Sequence, residues 1–131
     1  MTHLLDTDAC IGVLRQKPGM VEKLSRLAPA DVAVSMVTVY ELFCGVEKAA
    51  DPAKERRKVE RFISTISELP LERDAAQTAA QVRAELERQG TVIGPYDLLI
   101  AGQALAGNLT LVTGNLAEFR RVPGLKTESW P

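Results

Sequence analysis

Three short apolar runs decide most of what this chain can fold into. They are His3-Leu4-Leu5, Asp31-Val32-Ala33-Val34-Ser35 and Leu109-Thr110-Leu111-Val112-Thr113. Their cores lack the strict polar alternation of a half-exposed strand, so a sheet built from them must be covered on both faces. Leu69-Pro70-Leu71 is a weaker edge-strand candidate, and Leu125-Lys126-Thr127-Glu128 is a candidate last strand. Between these runs the periodicity turns helical. Short strands alternating with helices predict an α/β fold around a short parallel sheet. In such a sheet, ligands sit beyond the carboxyl ends of the strands, where Asp6, Ser35 and Thr113 fall.

The helical segments carry their own punctuation. Residues 9–28 read as helix split at Lys17-Pro18-Gly19, with Asp8 a candidate cap. Met36 to about Ala50 is helical with apolar residues on more than one face. Asp51-Pro52, a cap followed by proline at the first helical position, opens a charged helix over 51–66. Residues 73–89 form a helix stopped by Gly90, and Gly94-Pro95-Tyr96-Asp97 opens one that runs to about Ala106. At 131 residues, with no linker, repeat or low-complexity tract, 1–131 reads as one domain of the usual ~100–200 residues.

The acids are oddly placed. Asp6 and Asp8 are the only charges between His3 and Leu14, Glu41 is the only one from Val32 to Val46, and Asp97 the only one from Thr91 to Ala117. Neighbours of Glu41 at helical spacing are Val37, Thr38, Cys44 and Gly45, so no local base pairs with it. An unpaired carboxylate in apolar surroundings loses several kcal/mol of hydration. If two converge to ~5 Å, repulsion adds roughly 3 kcal/mol at an effective dielectric of ~20. A divalent cation relieves both penalties, and hard Mg²⁺ or Mn²⁺ prefers carboxylate and water oxygens. Plainer roles compete at each position: helix capping for Asp6 and Asp8, the helix dipole for Asp97, and a distant partner such as Arg83 for Glu41.

Composition closes other routes. His3 is the sole histidine, which excludes paired-imidazole ribonuclease chemistry and HExxH zinc sites. Two cysteines, Cys10 and Cys44, read as reduced, small, buried side chains. No run approaches the ~20 apolar residues of a membrane span, and the acidic N-terminus lacks a signal peptide's basic region. A cytoplasmic protein is expected. With 16 Lys and Arg against 17 Asp and Glu, no global basic field advertises a polyanionic partner.

At this point the motifs themselves become telling. The opening LLDTD, the S-x-x-T-x-x-EL of Ser35, Thr38, Glu41 and Leu42, the run RAELERQGTVIGPYDLLIAGQAL and the ending LVTGNLAEFRRVPGLKTESW resemble VapC-type toxins over essentially the whole chain. These are PIN-domain ribonucleases of bacterial toxin–antitoxin pairs. The resemblance implies a three-layer α/β/α PIN-like domain with a short central parallel sheet and an acidic pocket at its carboxyl edge. It implies Mg²⁺- or Mn²⁺-dependent endonucleolytic cleavage of RNA, with structured RNA such as transfer RNA as a candidate substrate. It further implies a cognate VapB-type antitoxin and a homodimer.

Carried over by motif, Asp6, Glu41 and Asp97 are the acids of that pocket. Asp6 and Asp97 are expected to ligate the metal directly, and Glu41 to ligate it through water or to orient the attacking water. Where PIN domains often place a fourth acid, Thr113-Gly114-Asn115 supplies an amide; Asn115 is expected to hold a water or ligand and Glu118 to supply the missing charge. Asp8 stands where this subgroup usually has Asn. Metal-activated water would leave 5′-phosphate and 3′-hydroxyl ends. Thr7, Ser35 and Thr113 are candidate orienting hydroxyls.

Lys48, Lys54, Arg56, Arg57, Lys58 and Arg61 form a basic cluster that reads first as a solvated helix face with i,i+4 partners and second as a phosphate-binding patch, and Arg120-Arg121 lies near the expected pocket. Two rival enzyme and signalling readings follow from Asp6-Thr7-Asp8. One is a haloacid-dehalogenase-like phosphohydrolase with Asp6 as nucleophile; the other is a phosphorylatable receiver domain. A third is a PIN-like module that binds without cleaving.

Overall fold

The structure, a computed structural model, describes residues 1–130. In chain order the elements are β1 (His3–Leu5), α1 (Thr7–Leu14), α2 (Pro18–Ser25), β2 (Val32–Ser35), α3 (Met36–Glu47), α4 (Pro52–Ile63), β3 (Ser67–Leu69), α5 (Arg73–Gln89), α6 (Pro95–Ala106), β4 (Thr110–Val112), α7 (Leu116–Phe119) and β5 (Thr127–Glu128). All five strands are parallel, in the order β3-β2-β1-β4-β5. Register is fixed by Leu5, which pairs with Val34 on one side and Val112 on the other.

Strand alternation sorts the apolar side chains into two cores. Leu4, Ala33 and Leu111 point to one face, beneath α5, α6 and Phe119. Leu5, Val32, Val34 and Val112 point to the other, beneath α1 to α4 and Trp130. Leu4, Leu5, Ala33, Val34 and Leu111 are fully buried, each larger one worth roughly 1.5–3 kcal/mol. That double burial explains the continuous apolar runs and gives the expected α/β/α layering. Helix α5 lies close on α6 because Gly102 has no side chain: a Cβ there would stand 2.7 Å from both the Ala75 carbonyl and the Ala79 Cβ.

The strand order places a switch point in the sheet. From β1 the chain builds outward to β2 and β3, then returns to add β4 and β5 on the other side. Adjacent strands β1 and β4 therefore lead to connections that diverge, opening a crevice at their carboxyl ends. Asp6 follows β1 directly and Thr113 follows β4 directly. The sequence reading differs in detail at two places. The edge strand is Ser67–Leu69, with Pro70 just outside it, and no loop separates β1 from α1. Asp6 rather than Asp8 caps α1, because the chain enters the helix at Thr7.

Candidate active site

Asp6 has an extended backbone and is 2% exposed, and its Oδ1 accepts the Ala9 N–H at 2.7 Å. The capping role and the buried, isolated charge thus belong to one residue. The Thr113 hydroxyl also bonds this carboxyl, while its Oγ1 accepts the Asn115 N–H at 2.9 Å. These donors favour the ionised form, but burial outweighs them. With Asp8 and Glu41 adding repulsion, Asp6 is pushed up to about 6.

Glu41 projects from the middle of α3 and is half-buried. The Thr7 hydroxyl donates to its Oε1 at 2.6 Å and sits 3.0 Å from the Thr38 hydroxyl. Thr38, one helical turn before Glu41 and fully buried, is a residue whose supporting role went unread in the sequence. The signal was there: polar residues three apart on an otherwise apolar helix share a face.

Asp97 lies in the first turn of α6, half-buried, where Pro95 starts the helix. It is pushed up to about 7, first by burial, then by Glu118, Asp6 and Glu41. Glu118 moves the other way. Its Oε1 accepts the Gly94 N–H at 3.1 Å, its Oε2 accepts the Asn115 amide at 2.6 Å, and Arg121 adds positive potential, so it is held below the usual carboxylate range. Gly94 lies beside both acids: a methyl there would stand 3.6 Å from Asp97 Oδ2 and 3.9 Å from Glu118 Oε1. Asn115 therefore positions Glu118, whose charge enters the pocket from α7.

Four elements thus bring Asp6, Glu41, Asp97 and Glu118 into one mutually repelling field. Among the described residues no ion pair reaches Asp6, Glu41 or Asp97; Arg83, the candidate partner for Glu41, pairs with Glu87 at 3.6 Å. Nor do any three described His, Cys, Asp or Glu groups already stand as a ligand cage. Acid-only oxygen donors, too much negative charge and two carboxyls displaced upward fit a hard dication.

Other expected participants are placed elsewhere. Ser35 is fully buried at the end of β2, but its hydroxyl donates to Gln103 Oε1 and accepts the Val37 N–H, so it caps α3 and braces α6. Gln103 in turn donates to the Leu69 and Pro70 carbonyls. In the basic cluster, Arg56 pairs with Glu47 and Lys58 reaches Glu55. Cys10 is buried and Cys44 half-buried, both free thiols. No described helix is long and apolar enough to cross a membrane.

A family model described as the PIN domain matches residues 3–125. The chain belongs to the PIN-domain family. A VapC relative from Salmonella typhimurium, named as a tRNA(fMet)-specific endonuclease, is 41% identical over 130 residues, 99% of this chain and 98% of its own. The crystal structure of DNA-bound VapBC from Salmonella typhimurium matches with a TM-score of 0.95 at 40% identity, covering 100% of this chain and 99% of that one. VapBC2 from Rickettsia felis, bound to a DNA fragment from its promoter, matches at 0.94 and 33% identity over the full length of both chains. Membership in the PIN-domain family, VapC type, confirms the resemblance and sets aside the dehalogenase-like and receiver readings of Asp6-Thr7-Asp8.

Proposed function

We propose that this PIN-domain protein is the toxin of a toxin–antitoxin pair, a metal-dependent endoribonuclease neutralised by a VapB-type antitoxin. The observation that carries the reading is the meeting of three acids, isolated in their own segments, at the β1–β4 switch point. Relatives named as VapC ribonucleases and solved as VapBC complexes support both the activity and the partner. Two relatives at 41% and 42% identity are named for tRNA(fMet), which supports transfer RNA as the substrate class. Residues 1–131 act as one nuclease unit, working as a homodimer on cytoplasmic RNA.

Asp6 and Asp97 would hold Mg²⁺ or Mn²⁺, which supplies Lewis acidity toward water and phosphate. Thr113 and the Ala9 N–H fix the Asp6 carboxyl from behind, leaving its remaining oxygen valence for the crevice. Glu41, oriented by Thr7, aligns the attacking water. Glu118 stays ionised on Gly94 and Asn115 and provides the fourth negative charge that the amide at position 115 cannot. In-line attack on phosphorus leaves 5′-phosphate and 3′-hydroxyl ends.

The test is purified protein incubated with total RNA in Mg²⁺ or EDTA, beside Asp6→Ala and Asp97→Ala. Cleavage is expected only with metal and in neither variant. Equal cleavage by the variants would remove these acids from the mechanism, and intact RNA with the parent protein would leave a non-cleaving binding module.

A further inference from the structure

A second feature lies next to the crevice and shares Thr113 with it. Beside the acids, on the far side of Thr113, lies a groove of about 400 Å³. One wall is a stripe of α1 and the turn after it, where Asp8, Gly12 and Arg15 follow at helical spacing, with Lys17 just beyond. The opposite wall is Thr113 and Gly114, and Met20 and Trp130 lie at the floor. From position 8 to position 15 the helix rises roughly 10 Å, so the groove is long enough for a nucleotide or two.

The groove is polarised along that length. Thr113 on one wall bonds Asp6, while the α1 wall begins at Asp8 and ends at the cations Arg15 and Lys17. Both cations are exposed, and among the described residues neither has an ion-pair partner. What sets them apart is their place: both line the groove that Thr113 also lines. The groove is also kept open by a missing side chain. A Cβ on Gly12 would stand 3.3 Å from Met20 Cγ and 3.8 Å from Lys17 Cδ, so any larger residue intrudes on the floor.

We propose that this groove seats the RNA nucleotide flanking the scissile bond, with Arg15 and Lys17 holding its distal phosphate and the Gly12-Met20-Trp130 floor taking its base or ribose. The inference rests on the nuclease reading and adds a substrate subsite to it. A strand laid this way runs from free cations to the acids, so its flanking phosphate is neutralised by side chains and its scissile phosphate arrives where metal is expected. Asp8, on the wall between them, offers an acceptor to a base edge carrying N–H donors.

The test is steady-state cleavage of an RNA hairpin, mapped for its cut site, by the parent protein, Arg15→Gln/Lys17→Gln and Gly12→Leu. For the double variant, KM is expected to rise about 10-fold with kcat nearly unchanged. The dependence of log(kcat/KM) on log salt should flatten by roughly 0.7 for the lost single-strand phosphate contact. A second hairpin, abasic at the flanking nucleotide, should lose rate with the parent protein but not further with Gly12→Leu. Because Gly12 is buried, the exposed double variant keeps the test valid if Gly12→Leu fails to fold. Parent protein that cuts no RNA refutes the nuclease reading; parent and double variant cutting with the same KM and salt slope refute the groove alone. Unchanged cleavage with weakened capture of a VapB-type antitoxin would assign the groove to that protein instead.

Discussion

Replacing Asp6 by Asn should make the metal-free protein more stable while abolishing its activity. Asn caps a helix as well as Asp does, so the bond from the Ala9 N–H survives and only the charge is removed. Burial raises Asp6 from the ordinary 3.8 to about 6, so the folded state holds its proton over a range where the unfolded chain has released it. Stability therefore falls as pH rises between those values, and above about 6 the ionised carboxylate costs the fold roughly 3 kcal/mol. For a chain of this size that corresponds to roughly 10 °C in Tm. The assay is thermal unfolding of both proteins at pH 4 and pH 8, in EDTA and in Mg²⁺. In EDTA, Asp6→Asn should melt higher at pH 8 and nearly equal to the parent at pH 4. Added Mg²⁺ should raise the parent's Tm and leave the variant's unmoved, since only a ligand that binds the folded state stabilises it. Equal melting in EDTA at pH 8, or an equal Mg²⁺ response in both, would refute the account of Asp6 as a strained metal ligand.

Because Asp97 is pushed up to about 7 in the metal-free state, metal affinity should weaken as pH falls below neutrality, measurable by titration calorimetry. Glu118→Gln removes a like charge beside it and should lower that pH midpoint by roughly one unit; an unmoved midpoint would exclude Glu118 from the field. Thr7→Val strips the donor from Glu41 and should reduce kcat with little change in KM, whereas a change in KM alone would make Thr7 a binding residue. Gly102→Ala forces a methyl to 2.7 Å from backbone and side chain of α5 and should destabilise the fold by about 1–3 kcal/mol in urea, with metal-dependent chemistry intact where the protein remains folded.

Much of this is legible in the sequence, and the reason is physical. Double-sided burial writes itself into sequence as unbroken apolar runs, so β1, β2 and β4 stand out, and lone acids in apolar stretches such as those around Glu41 and Asp97 stand out in the same way. The capping of α5 by Gly90, in the left-handed region at φ 70°, was equally plain. What stayed hidden depends on the third dimension. Asp6 and Asp8 both suit a cap, and only the abrupt entry into α1 selects Asp6. Ser35 ends a strand just as Asp6 and Thr113 nearly do, yet its hydroxyl turns to Gln103 because α6 covers that side. Asn115 reads as a lost acid; in space it is the group that holds a replacement acid in place.

The magnitudes explain why the crevice is poised for a cation rather than merely tolerant of its acids. Asp6 caps α1 and Asp97 sits in the first turn of α6, so two helix N-termini face the negative charge. Each such dipole is worth about 0.3–1 kcal/mol, or up to ~2 when partly buried. The ionisation of Asp6 alone costs roughly 3 kcal/mol at neutral pH, with Thr113 and the Ala9 N–H already counted. Dipoles and hydrogen bonds thus bring the acids close to ionising without completing the compensation. Full compensation, by an arginine among them, would stabilise the fold and abolish the drive to bind metal. The uncompensated remainder is what a dication can recover on binding, so the protein's instability without metal and its affinity for metal should rise and fall together across acid-to-amide variants.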